Sequence, residues 1–240
     1  MKFLMGSSRP LDDYSDLSLR REPRMMNESY QHFKVPLVNV FRPGVPIDWT
    51  GRVGNQLIME HLQNVPADEP VLVTDAWDAF FAGTPEEMEK AFLAFGKPLV
   101  ISTEPNLWPK ETAHLMHHPP APTRFRYACG GGWAGYAGEI VRMLTAPDYW
   151  QPPFICNQSA FDDWFCRHQD TTAMDYHCRL FQCLYDDGTT KPSLKGIFDI
   201  KDKRLHNKET DSYPLVIHGG GGFTVEAMRL WKWVKAARGI

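Results

Sequence analysis

The sequence contains few cysteines, and their spacing argues against a structure held together by disulfides. Five cysteines occur in 240 residues, and no two of them form a C-x-x-C pair. An odd count without paired spacing does not support a complete disulfide framework. Reduced thiols are the simpler interpretation, and Cys178 and Cys183 have no obvious activating partner that would indicate a nucleophile.

Long apolar runs and a strong net charge are also missing. No stretch approaches the length of a membrane span, and the apolar run Lys2–Met5 is too short for the core of a signal peptide. The net charge of -3 creates no field that favours nucleic acid or an anionic membrane. We therefore expect a cytoplasmic protein without a membrane span and without a nucleic-acid partner. Its length allows a continuous core, and we expect one domain over residues 1–240.

Apolar strands alternate with helical patterns along the chain. Pro70–Thr74 is a continuous apolar run, which is typical of a strand buried on both faces. Thr84-Pro-Glu-Glu87 has the pattern of a capping box that begins a helix, and Gly96 ends this helix. Further strands are predicted at 2–5, 35–41, 99–102 and 215–217, and further helices at 55–65, at 135–145 and from Thr224 to Gly239. The alternation predicts an α/β fold with a mostly parallel sheet.

Two carboxylates follow the clearest strand. Asp75 ends it and Asp78 comes three residues later, at the carboxyl end of a strand where ligands bind in open α/β sheets. Carboxylate oxygens there can converge on a hard cation such as Mg²⁺ or Mn²⁺. Asp75 as a turn cap and Asp78 as a solvated side chain is an equally good interpretation of this motif alone.

Two glycine-rich segments are candidates for contacts with a ligand. Leu215–Gly222 carries His218 from a strand into four glycines, whose backbone can approach phosphate oxygens. His218 can be a metal ligand, although a single histidine is more often structural. Ala128–Tyr136 places glycines ahead of a predicted helix, where an anion or a sugar hydroxyl can bind. A tight packing turn is the favoured interpretation of this second segment.

Several motifs, in this order, resemble the glycosyltransferase domain of the procollagen lysyl hydroxylase/glycosyltransferase family. The similarity runs from about Trp49 to about Thr224, with a weaker match at Lys2–Ser8. The motifs that show this similarity are Asp75-Ala-Trp77-Asp78, Ser102-Thr-Glu104 with Trp108-Pro109, Gly130–Tyr136, Asp162-Asp163-Trp-Phe165, Asp175 with Arg179–Gln182, and Pro214–Gly221.

The resemblance implies a GT-A fold, a divalent metal (Mn²⁺, with Mg²⁺ as the alternative) and a UDP-sugar donor. It implies that Asp75, Asp78 and His218 bind the metal, and that Trp49 and Trp77 flank the uracil. It also implies that Trp108 lies on a mobile loop near the sugar, with Asp162 or Asp163 near the donor sugar or the acceptor. Backbone contacts to the donor are expected at Gly131, Gly132, Gly219, Gly220 and Gly221. The acceptor is a hydroxyl of a protein or glycan, with hydroxylysine or galactosyl-hydroxylysine of a collagen-like protein as the family example.

Some positions depart from the family pattern. Asn55 and Gln56 stand where the family has a lysine in a glycine-rich loop, and Gly222-Phe223-Thr224 replaces Pro-Thr-Lys. Both changes fall on the expected phosphate side of the donor. Asp162 and Asp163 are the candidates for the carboxylate that orients or deprotonates the acceptor, and Glu104 is the next candidate. A UDP-sugar hydrolase and an inactive nucleotide-sugar or carbohydrate-binding module remain the alternatives to transfer.

Overall fold

The structure, a computed structural model, describes residues 1–7, 22–40, 42, 50–110, 117–185, 193–220 and 222–240. The strands within these ranges are β1 (Lys2–Gly6), β2 (Leu37–Val40), β3 (Pro70–Asp75), β4 (Ala79–Phe81), β5 (Leu99–Glu104), β6 (Tyr127–Tyr136), β7 (Thr172–Met174), β8 (Phe181–Cys183), β9 (Phe198–Lys201), β10 (Arg204–Asn207) and β11 (Val216–His218). The helices are α1 (Glu22–His32), α2 (Arg52–Leu62), α3 (Pro85–Leu93), α4 (Ala137–Thr145), α5 (Asn157–Arg167), α6 (Leu194–Ile197) and α7 (Thr224–Arg238).

The central sheet has six strands in the order β2-β1-β3-β6-β5-β7. Strand β6 runs antiparallel to both of its neighbours, and the other pairs in the sheet are parallel. The predicted α/β class with a mixed, mostly parallel central sheet is confirmed. Asp75, the last residue of β3, therefore lies at the carboxyl end of the parallel strands, as the sequence predicts.

Both faces of this sheet are covered. Successive side chains of a strand point to opposite faces, and in β1 Phe3 and Met5 join one apolar cluster while Leu4 joins the other. The first cluster contains Phe80 of β4 and Trp231 of α7, whose ring centroids are 5.4 Å apart. The second cluster contains residues of α2, α4 and α5. Because β3 is buried between the two clusters, its end is held rigidly.

A smaller sheet, β4-β11-β8, positions the late histidine. Strand β11 pairs antiparallel with β4 and parallel with β8, so that His218 lies opposite Ala79 on one side and Cys183 on the other. The Gly219 N–H donates to the Asp78 carbonyl at 2.7 Å. These pairings bring the distant segments 75–81 and 216–219 together.

The helix boundaries confirm part of the sequence analysis. The capping box is present: the Glu87 N–H donates to Thr84 Oγ1, and the Thr84 N–H donates to the Glu87 carboxylate. Gly239 ends α7 with a positive φ of 74°, as expected at a helix C-terminus. This helix begins at Thr224, as predicted, and Phe223 takes the cap position without a side-chain hydrogen bond.

The glycine-rich segment before α4 is a strand rather than a loop. Residues 127–136 form β6 in the middle of the central sheet. The favoured interpretation of a tight packing turn is therefore wrong, and Gly131 and Gly132 do not lie at a helix N-terminus either, because α4 begins only at Ala137. Glycine has low strand propensity, and neighbouring side chains occupy the space that Cβ atoms would need here.

None of the helices in the described residues is both long enough and apolar enough to traverse a lipid bilayer.

Candidate functional site

Asp75, Asp78 and His218 converge at the end of β3. His218 Nε2 lies 3.0 Å from Asp75 Oδ2 and 3.5 Å from Asp78 Oδ2. One ligand atom from each of the three residues lies within 4.8 Å of the others. Two carboxylates and an imidazole at these separations match the ligand types of a divalent metal site.

The surroundings of this group fit a cation. The Asp75 side chain is 53% exposed and Asp78 is 26% exposed, whereas His218 is 11% exposed, so the site opens to solvent on the carboxylate side. Nε2 of His218 is buried and has no well-aligned hydrogen bond within the described part of the chain. Burial opposes protonation of His218, but the negative charges of Asp78 and Cys129 outweigh it and raise the pKa of the imidazole well above its ordinary value. A positive charge is therefore favoured between these side chains, and a metal ion can supply it in place of the proton.

The other edge of the His218 ring faces sulfur. Nδ1 lies 3.3 Å from Cys129 Sγ and 3.7 Å from Cys183 Sγ. Both cysteines are buried and free. No local motif in the sequence predicts that either cysteine lies near His218. The strand pairing of Cys183 with His218 becomes visible only once β8 and β11 are known to be neighbours.

Gly131 makes room for the imidazole. A Cβ atom at position 131 would lie 2.2 Å from Cε1 of His218, well inside van der Waals contact, and one at Gly220 would lie 2.4 Å from the same atom. At Gly132 a Cβ would meet Phe181, and at Gly219 it would meet the Phe223 carbonyl. The predicted backbone contacts of these glycines with a donor stay predictions, and Gly221 lies outside the described residues.

Glu104 is the partly buried carboxylate beside this cluster. It ends β5, and its Oε1 accepts a hydrogen bond from Gln158 Nε2. Gln158 is the second residue of α5, and its Oε1 accepts from the Gly130 N–H at 3.4 Å. Burial, and to a smaller extent the charge of Cys129, raises the pKa of Glu104 well above its ordinary value. Gln158 was missed because a glutamine in a helix carries no sequence signal of its own.

Asp162 and Asp163 occupy different environments on α5. Asp162 is fully buried, and its Oδ1 accepts from the Ala128 N–H at 2.7 Å and lies 3.3 Å from His118 Nε2. Burial raises the pKa of Asp162 well above its usual range and lowers that of His118 to about 4. Asp163 instead forms an ion pair with Arg167 at 2.5 Å. Their predicted part in catalysis stays a prediction.

The aromatic and polar candidates for donor binding are spread over several elements. Trp77 is partly buried against the core, and Trp108 is 55% exposed in the turn after β5. Trp49 lies outside the described residues. Asn55 is buried and donates to the Tyr149 hydroxyl at 3.2 Å, while Gln56 donates to Glu60 on the surface of α2. Asn55 is therefore committed to packing in this structure.

The family described as the PLOD GT domain matches residues 50–237, most of the chain. This span contains Asp75, Asp78, Glu104 and His218.

Individual relatives agree with this match. Procollagen-lysine,2-oxoglutarate 5-dioxygenase 1 of Rattus norvegicus is 27% identical over 172 residues, which cover 70% of this chain and 23% of the relative. The multifunctional procollagen lysine hydroxylase and glycosyltransferase LH3 of Homo sapiens is 28% identical over 70% of this chain and 22% of its own length. Uncharacterized protein R699 of Acanthamoeba polyphaga mimivirus is 26% identical over 71% of this chain and 35% of its length. The chain therefore spans only about a quarter to a third of these relatives.

Among solved structures, a glycosyltransferase involved in the glycosylation of the major capsid of PBCV-1 superposes with a TM-score of 0.49. It is 12% identical, over 97% of this chain and 99% of that one.

Proposed function

The chain belongs to the PLOD GT domain family of glycosyltransferases, and from that premise we propose that it transfers glucose or galactose from a UDP-sugar to a hydroxyl acceptor. We further propose that a divalent ion, Mn²⁺ or else Mg²⁺, assists the transfer. The observation that carries this proposal is the convergence of Asp75, Asp78 and His218 Nε2 at the end of a parallel strand.

Different side chains around the proposed metal would bind different parts of the donor. Asp75, Asp78 and His218 would hold the ion, which when bound stabilises negative charge on the leaving diphosphate. Asp78 is fixed by the Gly219 N–H, which binds its backbone carbonyl at 2.7 Å. The exposed side of Asp75 leaves room for the donor to approach. Trp77 and Trp49 are proposed to contact the uracil, and Trp108 the sugar.

On the acceptor side we propose Glu104 as the group that orients or deprotonates the attacking hydroxyl. Burial raises the pKa of Glu104 well above its ordinary value, which makes its carboxylate a stronger base. Gln158 holds one carboxylate oxygen and leaves the other for a substrate. By contrast, Asp162 is fully buried and binds a backbone N–H, and Asp163 forms an ion pair with Arg167.

Glu104→Gln tests this assignment. The amide keeps the shape and the Gln158 contact but cannot take a proton, so kcat for UDP release should fall about 10²-fold or more, the usual contribution of a general base. Glu139→Gln is the matched control, because Glu139 is also a partly buried glutamate and its partner is Arg142 of the same helix, α4. A Glu104→Gln enzyme that turns over within a factor of two of the parent, as the control should, removes Glu104 from catalysis.

The proposed acceptor rests on the similarity to known relatives and not on the geometry of the site. Two of the relatives named above carry names of procollagen lysine-modifying enzymes, and a hydroxylysine-containing collagen-like peptide is therefore the first acceptor to test. Free hexose formed equally well without acceptor would indicate a UDP-sugar hydrolase. UDP binding without release of sugar would indicate a nucleotide-sugar-binding module.

The experiment that tests the proposed function is a UDP-release screen. The purified chain is incubated with Mn²⁺ and each of several UDP-sugars, with and without the peptide. We expect release with UDP-glucose or UDP-galactose that depends on the peptide and is lost when a chelator removes the metal. Release that survives complete chelation, with metal content verified independently, would contradict the metal-dependent mechanism.

A further inference from the structure

A second set of potential metal ligands lies behind His218. Cys129 of β6 and Cys183 of β8 approach Nδ1, the ring nitrogen on the side away from the carboxylates, at 3.3 and 3.7 Å. Ligand atoms of Cys129, Cys183 and His218 all lie within 4.8 Å of one another. All three residues are buried, and each belongs to a strand, so their positions are fixed by the sheets.

These separations fit a tetrahedral zinc site. With Zn–S of about 2.3 Å and Zn–N of about 2.0–2.1 Å, a sulfur and a nitrogen bound to one tetrahedral ion lie about 3.6 Å apart. The two measured S···N distances lie on either side of this value. Thiolate and imidazole ligands favour Zn²⁺ over Mg²⁺ or Mn²⁺, which prefer carboxylate oxygens. The types of ligand atom and their spacing therefore favour a softer metal ion than the carboxylates of Asp75 and Asp78 favour.

We propose that Cys129, Cys183 and Nδ1 of His218 form a zinc-binding site, separate from the carboxylate site at Nε2. The three residues supply three protein ligands and leave a fourth tetrahedral position. The site requires no rearrangement of the strands that carry the ligands, because the sulfur and nitrogen atoms already face one another.

The two sites share one imidazole, and they therefore exclude each other. A neutral imidazole has one nitrogen with a free lone pair and one that carries hydrogen. When Nδ1 binds zinc, Nε2 carries the hydrogen and donates towards Asp75 Oδ2, 3.0 Å away. His218 is then a hydrogen-bond donor to the carboxylates instead of their fellow ligand. Zinc binding should therefore weaken Mn²⁺ binding at Asp75 and Asp78. This expected effect on Mn²⁺, unlike the zinc site itself, rests on the proposed function.

Cobalt substitution tests the zinc site without any assay of turnover. Metal-free protein, kept reduced, is titrated with Co²⁺, and the near-ultraviolet thiolate-to-cobalt charge-transfer band is followed, then displaced with Zn²⁺. We expect the band in the parent protein and in Asp75→Asn, which alters only the carboxylate site. Absence of the band in the correctly folded parent protein would overturn the proposal, and this reading requires no variant to fold.

The cysteine variants locate the site. Cys129→Ser with Cys183→Ser should remove the band and weaken zinc binding about 100-fold or more, as loss of ligands from a metal site does. Cys166→Ser is the matched control, since Cys166 lies on α5 and is only partly buried. A band that persists in the folded double variant, or that disappears in the control, would place the zinc elsewhere and overturn the assignment.

Mutual exclusion has its own measurement. Free Mn²⁺ is quantified by its electron paramagnetic resonance signal, with and without one equivalent of Zn²⁺. We expect the Mn²⁺ dissociation constant to rise about tenfold or more, the scale of disturbing one ligand's orientation. An unchanged constant with zinc bound overturns the exclusion. A protein that shows the cobalt band but neither binds Mn²⁺ nor releases UDP would refute the proposed function and leave the zinc site standing.

Discussion

Replacing Asp75 with alanine should reduce metal-dependent UDP release by about 10²- to 10³-fold and leave the fold intact. Removing one group that contributes to charge stabilisation in an active site costs about 3–4 kcal/mol of transition-state stabilisation. Each 1.36 kcal/mol corresponds to a factor of ten in rate. The fold should survive because the Asp75 side chain is about half exposed, at 53%, and fills no cavity.

Three measurements are needed on this variant: UDP release with Mn²⁺, Mn²⁺ affinity, and thermal unfolding. Turnover and Mn²⁺ affinity should fall together, while the melting temperature stays close to that of the parent. Asp68→Ala is the matched control, because Asp68 is an exposed aspartate in the turn before β3. Unchanged UDP release from Asp75→Ala would remove the metal site from the mechanism.

The largest effect on stability is expected at Asp175. This fully buried carboxylate accepts the N–H groups of Arg179, Leu180 and Phe181 at 2.9, 2.8 and 2.8 Å, and so fixes the turn that leads into β8. Alanine would leave these three donors without their acceptor, and each buried unsatisfied group costs about 1–3 kcal/mol. Removal of the carboxylate also ends the cost of burying it, a cost visible in its raised pKa. We therefore expect Asp175→Ala to lower the free energy of unfolding by about 3–5 kcal/mol.

Urea denaturation measures this change. Asp175→Asn should be intermediate, because its amide oxygen still accepts but its NH₂ group brings new donors into a buried site. Asp170→Ala, an exposed position on the neighbouring turn, should shift the midpoint little. If Asp175→Ala unfolds at the same urea concentration as the Asp170 variant, the three hydrogen bonds do not hold this turn.

Local signals were read correctly from the sequence where they are complete within a few residues. The capping box at Thr84 and the apolar strand ending at Asp75 are of this kind. The resemblance, and not the local spacing, implied that His218 would lie beside Asp75 and Asp78, and its Nε2 lies 3.0 and 3.5 Å from their carboxylate oxygens. The α/β class followed from the alternation of strands and helices.

What could not be predicted depends on residues far apart in the chain. Strand β6 is rich in glycine, so its sequence resembles a turn. Side chains from other elements, such as Phe181 and Asn157, occupy the space of its missing Cβ atoms. The local sequence does not show that these side chains lie there. The pairing of β8 with β11, which brings Cys183 beside His218, leaves no local periodicity in such short strands. Asp162 was interpreted as a possible reacting group, and its bond to the Ala128 N–H depends on how α5 packs against β6.

The position of the His218 imidazole depends on Gly131, a residue without a side chain in the middle of the central sheet. Because the ring lies where a methyl group would stand, a related sequence with any side chain at this point must either displace its imidazole or bend the strand. The residue at this position can therefore be used to sort homologues. Those that keep glycine retain space for the imidazole of the proposed metal site, and those that have a side chain there must place the imidazole elsewhere or do without it.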